Sequence, residues 1–390
     1  MIQHPVAVCG AGIVGMACVL AMARAGIKAT LVAPRPSPVP PAGDPYHPRV
    51  YAISPASQRF LSALGIWDAL PAQRTGRMGA MEIRGDAGGE LRLDAWQAAA
   101  PALGWIVEAS EIERVMMQAL GWSGATWLDD RVVHWQPGEL RTEKGQVVAA
   151  TLCVGADGAA SPLRTMAGLA HESTPYGDIG LVAHLDVELP HQDTAFQWFS
   201  SDGILALLPL PDSSRGPQVS MVWSVRPGRA QDVQSLLPEV RAQRLPALLA
   251  RITQGRLGAL RLNSPVHGFP LFIEQADVVA TGVALVGDAA HRVHPLAGQG
   301  LNLGLGDVQT LVDVLSNREP YRHAGDIRVL RRYRRRRAEP VAAMAAVTDS
   351  LHTLFNMPGT PAQWLRNHGM NWVDAVPALK RILVGQASGT

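Results

Sequence analysis

Near its start the chain carries Gly10-Ala11-Gly12-Ile13-Val14-Gly15 inside an uncharged run from Val6 to Ala23. No other feature constrains the fold as tightly. The apolar residues before the glycines read as a buried strand, and those after them as a buried helix ending near Gly26. The first glycine permits a tight turn, the second lets backbone approach a pyrophosphate, and the third lets the helix pack close to the strand. Free N–H groups at the helix start then face phosphate charge. Lys28 to Val32 is the next strand, completing a βαβ unit. The apolar run is nearly long enough to span a bilayer. No Lys or Arg precedes it, however, and a membrane span does not call for glycines at this spacing, so we expect no transmembrane segment.

A glycine turn of this kind is usually followed, about 20 residues on, by an acid that holds ribose hydroxyls. Ala33 stands at that position. Arg35 is close by and either reaches the adenosine end of a dinucleotide or is solvated.

Two later motifs repeat the strand-to-turn pattern. Cys153-Val154-Gly155-Ala156-Asp157-Gly158, followed by Ser161 and Arg164, ends an apolar strand in small residues and a carboxylate. Ala284-Leu285-Val286-Gly287-Asp288 ends another and runs on through His291 and His294 to Pro295, Gly298, Gln299, Gly300, Leu301 and Asn302. Asp288 at a strand end can accept bonds from polyol hydroxyls. The Gly-Gln-Gly turn starts a helix whose N–H groups can stabilise negative charge.

The rest of the chain frames these motifs. Pro34 to Pro48 reads as an extended loop, and Pro55–Leu64 and Ser110–Leu120 as helices. Met81–Asp94 reads as a hairpin around Asp-Ala-Gly-Gly. Gly180 to Val225 holds several strand-like runs that suggest an antiparallel layer, after which Val283–Val286 returns to the dinucleotide pattern. The expected fold class is therefore α/β. A discontinuous Rossmann-like cofactor domain (1–75, 104–175 and 278–330) carries an inserted, mainly antiparallel substrate domain (76–103 and 176–277), and C-terminal helices occupy 331–390. Cys9, Cys18 and Cys153 sit singly among small apolar residues and read as buried free thiols. No metal site is expected, since His291 and His294 lack a third ligand. A net charge of +2 argues against a nucleic-acid partner.

At these motifs the sequence resembles the class A flavoprotein aromatic hydroxylases, and among them the ubiquinone-biosynthesis hydroxylases (UbiH/UbiF/VisC type). The run from Gly287 to Val308, GDAAHRVHPLAGQGLNLGLGDV, is nearly that family's signature. The resemblance extends along the chain through Arg49-Val50-Tyr51-Ala52-Ile53-Ser54, the Gly-Ala-Asp-Gly turn, Leu330-Arg331-Arg332-Tyr333 and Asp349. It implies a p-hydroxybenzoate-hydroxylase-like fold with FAD as cofactor. Gly10, Gly12 and Gly15 would contact the pyrophosphate, and Arg49 the phosphate or ribityl region. Asp157, with Gly158, would lie on the pyrophosphate and adenosine side. Asp288, after Gly287, would bind the ribityl chain. Pro295 and Gly298 to Asn302 would line the isoalloxazine. The chain departs from the family at Ala33, at Ala160, where Asn is common, and at Gly306, where Arg is common. Glu113 stands where an amide residue near the flavin is usual.

The resemblance further implies NAD(P)H as co-substrate and O2 as oxidant, with a flavin hydroperoxide passing one oxygen atom to an electron-rich ring. The flavin carries the chemistry, so no catalytic side chain is expected. The substrate implied is a lipophilic polyprenyl phenol or benzoquinol. A soluble aromatic metabolite, or a scaffold role without turnover, stands as an alternative. Trp198, Phe199, Leu205, Leu207, Leu208, Met221 and Trp223 read either as a wall for that ring or as core. The expected location is cytoplasmic. Arg331 to Arg337 leaves open a peripheral place at the inner membrane, contact with other ubiquinone-biosynthesis proteins, or a solvated face.

Overall fold

The computed structural model describes the backbone of residues 2–36, 46–85, 88–200, 203–293 and 298–356, and their side chains except at 98 and 347–356. Most of the Pro34-to-Pro48 loop, part of the Asp-Ala-Gly-Gly turn, His294 and Pro295 lie outside the described residues.

Val6–Cys9 sits inside a six-stranded sheet in the order Val279–Ala280, Val283–Leu285, Leu152–Gly155, Val6–Cys9, Ala29–Val32, Thr126–Leu128. All the strands are parallel except the first, at the edge. Every residue of the three central strands is buried. Their unbroken apolar runs match that, because a parallel sheet is covered on both faces. Helices Ile13–Arg24, Ala109–Trp122 and Gly300–Ser316 cover one face through Met16, Met22, Ile112, Met116 and Leu311. A small four-stranded sheet covers the other, where Leu140 and Val148 join the core of Cys153 and Val283. Ala29–Val32 lies on one side of Val6–Cys9 and Leu152–Gly155 on the other. The chain therefore reverses direction across the sheet at this strand, and a crevice opens at its C-terminal end. Gly10 stands at that point.

The second layer is a nine-stranded sheet whose centre is formed by His171–Val187, Gly216–Val225, Gly203–Ser213 and Thr194–Ser200, all paired antiparallel. Thr194–Ser200 also pairs in parallel with Ala80–Arg84, the first arm of the expected hairpin with Glu90–Asp94. Side chains alternate across a strand. One face carries Phe196, Trp198, Leu205, Leu207, Met221 and Trp223, packed into a core with Leu245 and Leu249 of helix Pro238–Ile252. Of the residues that the sequence leaves open between ring wall and core, Trp198, Leu205, Leu207, Met221 and Trp223 are core, whereas Leu208 lines the cavity. The opposite face presents Ala195, Gln197, Ala206, Leu208 and Val222 toward the glycine motifs.

A buried charge network ties the C-terminal helix Ile327–Asn356 to the third motif. The carboxylate of Asp307, fully buried, accepts from the Gly287 N–H at 2.9 Å and from the Arg337 Nε at 2.6 Å, and meets His291 Nε2 at 2.8 Å. Burial opposes protonation of His291, but the Asp307 carboxylate more than offsets it and holds the imidazole above its usual range. Burial likewise disfavours the Asp307 anion, yet His291 and Arg337 keep its carboxyl below the usual range. Tyr333 donates its hydroxyl to the Leu285 carbonyl at 2.8 Å. The departure at Gly306 has a geometric partner here. A Cβ on Gly306 would lie 3.2 Å from Arg337 Nη1, so the bare backbone makes room for this arginine.

Removing one member of a buried ion pair leaves its partner uncompensated. Arg337→Ala is therefore expected to lower the unfolding free energy by about 3 kcal/mol, read by urea denaturation. A loss no larger than a surface substitution gives, under about 0.5 kcal/mol, contradicts the network as described.

Candidate functional site

A cavity of about 450 Å³ lies between the two layers, at the C-terminal end of Val6–Cys9. Gly12, Val14, Ala156, Gly158, Asp288 and Gly300 line one side of it, and the alternate face of the large sheet lines the other. All three sequence motifs thus contribute to one space.

The glycines divide the work. Gly10 takes φ +108°, and a Cβ there would fall 2.3 Å from the Ala156 carbonyl oxygen. A Cβ on Gly15 would fall 1.9 Å from the Gly10 carbonyl oxygen, so this glycine sets the helix against the strand. Gly12 is different, with nothing within 4 Å of its missing Cβ. It caps helix Ile13–Arg24 without a side-chain cap, and the first turn carries no acid. The free N–H groups therefore face open space ready for an anion.

The second motif is held rigidly. Ser161 accepts from the Arg164 N–H at 3.0 Å, and Arg164 donates to the carbonyls of Ala159 at 2.6 Å and Ala289 at 2.9 Å. That arginine locks the second motif to the third. Asp157 accepts from the Leu163 N–H through Oδ2 at 3.0 Å, while its buried Oδ1 has no partner. Burial raises the pKa of this carboxyl. An unpaired buried acceptor beside the crevice suits a ligand hydroxyl or N–H.

The third motif and the segment from Arg49 to Ser54 close the cavity. Asp288 is exposed to it at the end of its strand. Gly298, at φ +61°, would set a Cβ 3.0 Å from the Ala52 Cβ, so its bare backbone packs on the Ala52 methyl here. Asn302 donates to the Ala52 carbonyl at 2.9 Å and accepts from the Ser54 N–H at 3.0 Å. It also donates to Gln299 Oε1 at 3.0 Å. Its amide is thus a brace between helix Gly300–Ser316 and strand Val50–Ile53. Leu301 lines the cavity; Gln299 and Asn302 stand behind that lining.

Arg49 lines the cavity with its guanidinium 5.1 Å from the Tyr51 ring centroid. Burial pushes the Tyr51 hydroxyl up to about 12. Glu113 is half-buried near Arg49, and burial pushes its carboxyl up. The loop before Arg49 is fixed by Glu108, which accepts from the His47 N–H at 2.5 Å and pairs with Arg74 at 2.6 Å. Arg35 is not among the cavity-lining residues: its guanidinium lies 4.7 Å over the Trp127 ring. Beside it, Trp127 Nε1 donates to the Ala33 carbonyl at 2.9 Å, and Asp129 accepts from the Arg35 N–H at 2.9 Å. The carboxylate near this strand end therefore comes from Asp129, after the neighbouring strand, which no motif spacing pointed to.

A family profile described as the FAD binding domain matches residues 3–348. The 3-demethoxyubiquinol 3-hydroxylase of Escherichia coli K12 is 34% identical over 98% of both chains. The ubiquinone hydroxylase UbiL of Rhodospirillum rubrum is 31% identical over 99% of this chain and 89% of its own. The mitochondrial ubiquinone biosynthesis monooxygenase COQ6 of Mus musculus is 30% identical over 99% and 91%. Among solved structures, p-nitrophenol 4-monooxygenase PnpA of Pseudomonas putida superposes with a TM-score of 0.78 at 18% identity, covering 100% of this chain and 99% of that one. The structure of pqsL of Pseudomonas aeruginosa gives 0.79 at 21%, covering 95% and 99%.

The open cradle at Gly12 and the orphan Asp157 oxygen fit the FAD that such a domain binds. Gly12→Ala should leave the melting temperature of the cofactor-free protein unchanged and weaken FAD by about tenfold or more, because the added methyl holds the pyrophosphate away from the helix N–H groups and weakens hydrogen bonds to charge. Gly15→Ala should instead destabilise the protein itself. Asp288→Ala should weaken FAD far more than Asp277→Ala, whose residue is exposed outside the cavity lining. Thermal melting of the cofactor-free protein reads the two glycine variants' stability, fluorescence titration with FAD reads the affinities, and equal affinities at Asp288→Ala and Asp277→Ala contradict the site. By its full-length matches, the chain belongs to the FAD-binding-domain family, in the branch of the ubiquinone-biosynthesis hydroxylases.

Proposed function

We propose that this chain hydroxylates the aromatic ring of a lipophilic polyprenyl phenol or benzoquinol intermediate of ubiquinone synthesis, consuming NAD(P)H and O2. The observation that carries the reading is the composition of the cavity. One wall is the glycine cradle, and the other is an uncharged sheet face of Val182, Ala195, Ile204, Ala206, Leu208 and Val222. FAD, when bound, supplies the storage of reducing equivalents and the activation of O2.

The protein's own residues do the rest. Gly12 and Asp157 hold the dinucleotide end, with Gly10 and Gly15 shaping the turn behind them, and Arg49 and Asp288 hold the phosphate and ribityl portion. The N-terminus of helix Gly300–Ser316, with no acid in its first turn, stabilises negative charge beside the ring system. The apolar sheet face excludes water and presents the substrate ring. An ionised carboxylate on that ring would face no cation on the four central strands. Arg292, at the cavity edge, is already paired with Glu274 at 3.3 Å. Burying an unpaired carboxylate is costly, so this site favours a neutral ring over an aromatic acid.

No helix among the described residues is long and apolar enough to cross a membrane. On helix Ile327–Asn356, Arg332, Arg336 and Arg337 pair with Glu319, Asp313 and Asp307, whereas Arg328, Arg331, Arg334 and Arg335 are exposed. That basic face supports peripheral docking on an anionic membrane surface, where a prenylated substrate resides.

Each CH2 moved from water into an apolar slot contributes about 0.8 kcal/mol. A five-carbon isoprene unit fully buried is then worth about 4 kcal/mol, so affinity for prenylated phenols should rise steeply, at least about tenfold with each of the first isoprene units, and then level off. NAD(P)H oxidation and product formation across a tail-length series measure this. A flat series, or preference for an untailed benzoate, overturns the reading.

A further inference from the structure

Gln197 is the one carboxamide among the described residues that line the cavity. It is only 9% exposed, and no hydrogen bond of its side chain joins it to another described residue. Covered by an apolar group, such an amide loses its hydrogen bonds to water, and a polar oxygen on a ligand in the cavity restores them. Its direction is set by the strand. Phe196 and Trp198, its neighbours in sequence, stack on each other at 5.8 Å in the core behind the sheet. Gln197 must therefore project to the other face, into the cavity.

Its surroundings define a place for a ring. Across the ladder Gln197 is flanked by Ile83 on one strand and Ala206 on the other. Ala195 precedes it by two on the same face, and Ala206 pairs onward with Val222. The two alanines rise little above the sheet, while Leu208 and Val222 stand higher around them. The result is a shallow apolar floor with one amide at its edge. Among the lining residues of the four central strands the only other hydrogen-bonding side chain is Ser224, one strand farther across.

We infer that Gln197 is a specificity-determining residue that hydrogen-bonds a neutral oxygen substituent, a hydroxyl or a carbonyl, on the substrate ring lying over Ala195 and Ala206. This deepens the function proposed above and rests on it. A carboxamide both donates and accepts, so it satisfies a phenol or a ring carbonyl equally, and it carries no charge to pair with a carboxylate. An apolar ring of the same shape leaves the amide unsatisfied, and discrimination follows from that penalty.

The test uses FAD-loaded protein without reductant and two probes with the same tail, 2-geranylphenol and geranylbenzene. Dissociation constants come from the perturbation of the flavin absorbance on titration. Wild type should bind the phenol about three- to tenfold more tightly, the range of one neutral hydrogen bond. Gln197→Leu and Gln197→Met should both abolish that preference while retaining FAD and binding geranylbenzene at least as well as wild type. Retention of the phenol preference in both variants overturns the assignment alone. Loss of FAD from both overturns it as well, because the amide would then be structural. If wild type binds neither probe, or prefers 4-hydroxybenzoate, the proposed function fails and the inference falls with it.

Discussion

The buried carboxylate of Asp307 organises the cofactor side of the molecule. One side chain receives the Gly287 N–H at the start of the third motif, the His291 ring that follows it, and Arg337 from the C-terminal helix. A charge this deep persists only when its oxygens are fully engaged. Its partners come from two segments distant in sequence from its own helix, so satisfying it fixes the turn after Val283–Leu285, the helix Gly300–Ser316 and the tail relative to one another. The exposed Asp288 sits on that turn, and its aim into the cavity depends on the anchor beneath it. Arg164 performs the equivalent task between the second and third motifs through two carbonyls.

The cavity is the product of two unlike requirements meeting. On the cofactor side backbone must come close to a ligand, which needs glycine at Gly12 and tight packing at Gly10 and Gly15. On the substrate side a sheet must be apolar on both faces, one for its own helical cover and one for a ring. The small residues Ala195 and Ala206 create depth where larger ones would close it.

These two sides were not equally legible in the sequence. The cofactor half was, because a strand-to-helix turn at a phosphate leaves few residue choices, and Gly12, Ala156, Gly158 and Asp288 of the three motifs line one cavity. The substrate wall was not. In Gly203–Ser213 and its neighbours both faces are apolar, so a period of two carries no sign of which face meets the ring. Trp198, Leu205 and Trp223, which the sequence leaves open between wall and core, lie on the core face, one residue out of phase with the wall. Asn302 was placed beside the flavin by resemblance, whereas its amide is spent on Ala52 and Ser54. The Asp307–Arg337 pair spans 30 residues and leaves no local pattern beyond a single acid in the otherwise uncharged run Leu301 to Leu311.

The central claim is that the glycine cradle and the uncharged sheet face act on one substrate together, inserting oxygen from O2 into a neutral ring. The most direct measurement is mass spectrometry of the product formed by FAD-loaded protein with NADH or NADPH, a prenylated phenol and isotopically heavy O2. The account predicts a ring product heavier by one labelled oxygen atom, formed in step with nicotinamide oxidation. Nicotinamide oxidation that yields only labelled hydrogen peroxide, with the phenol unchanged across the prenylated series, would contradict it.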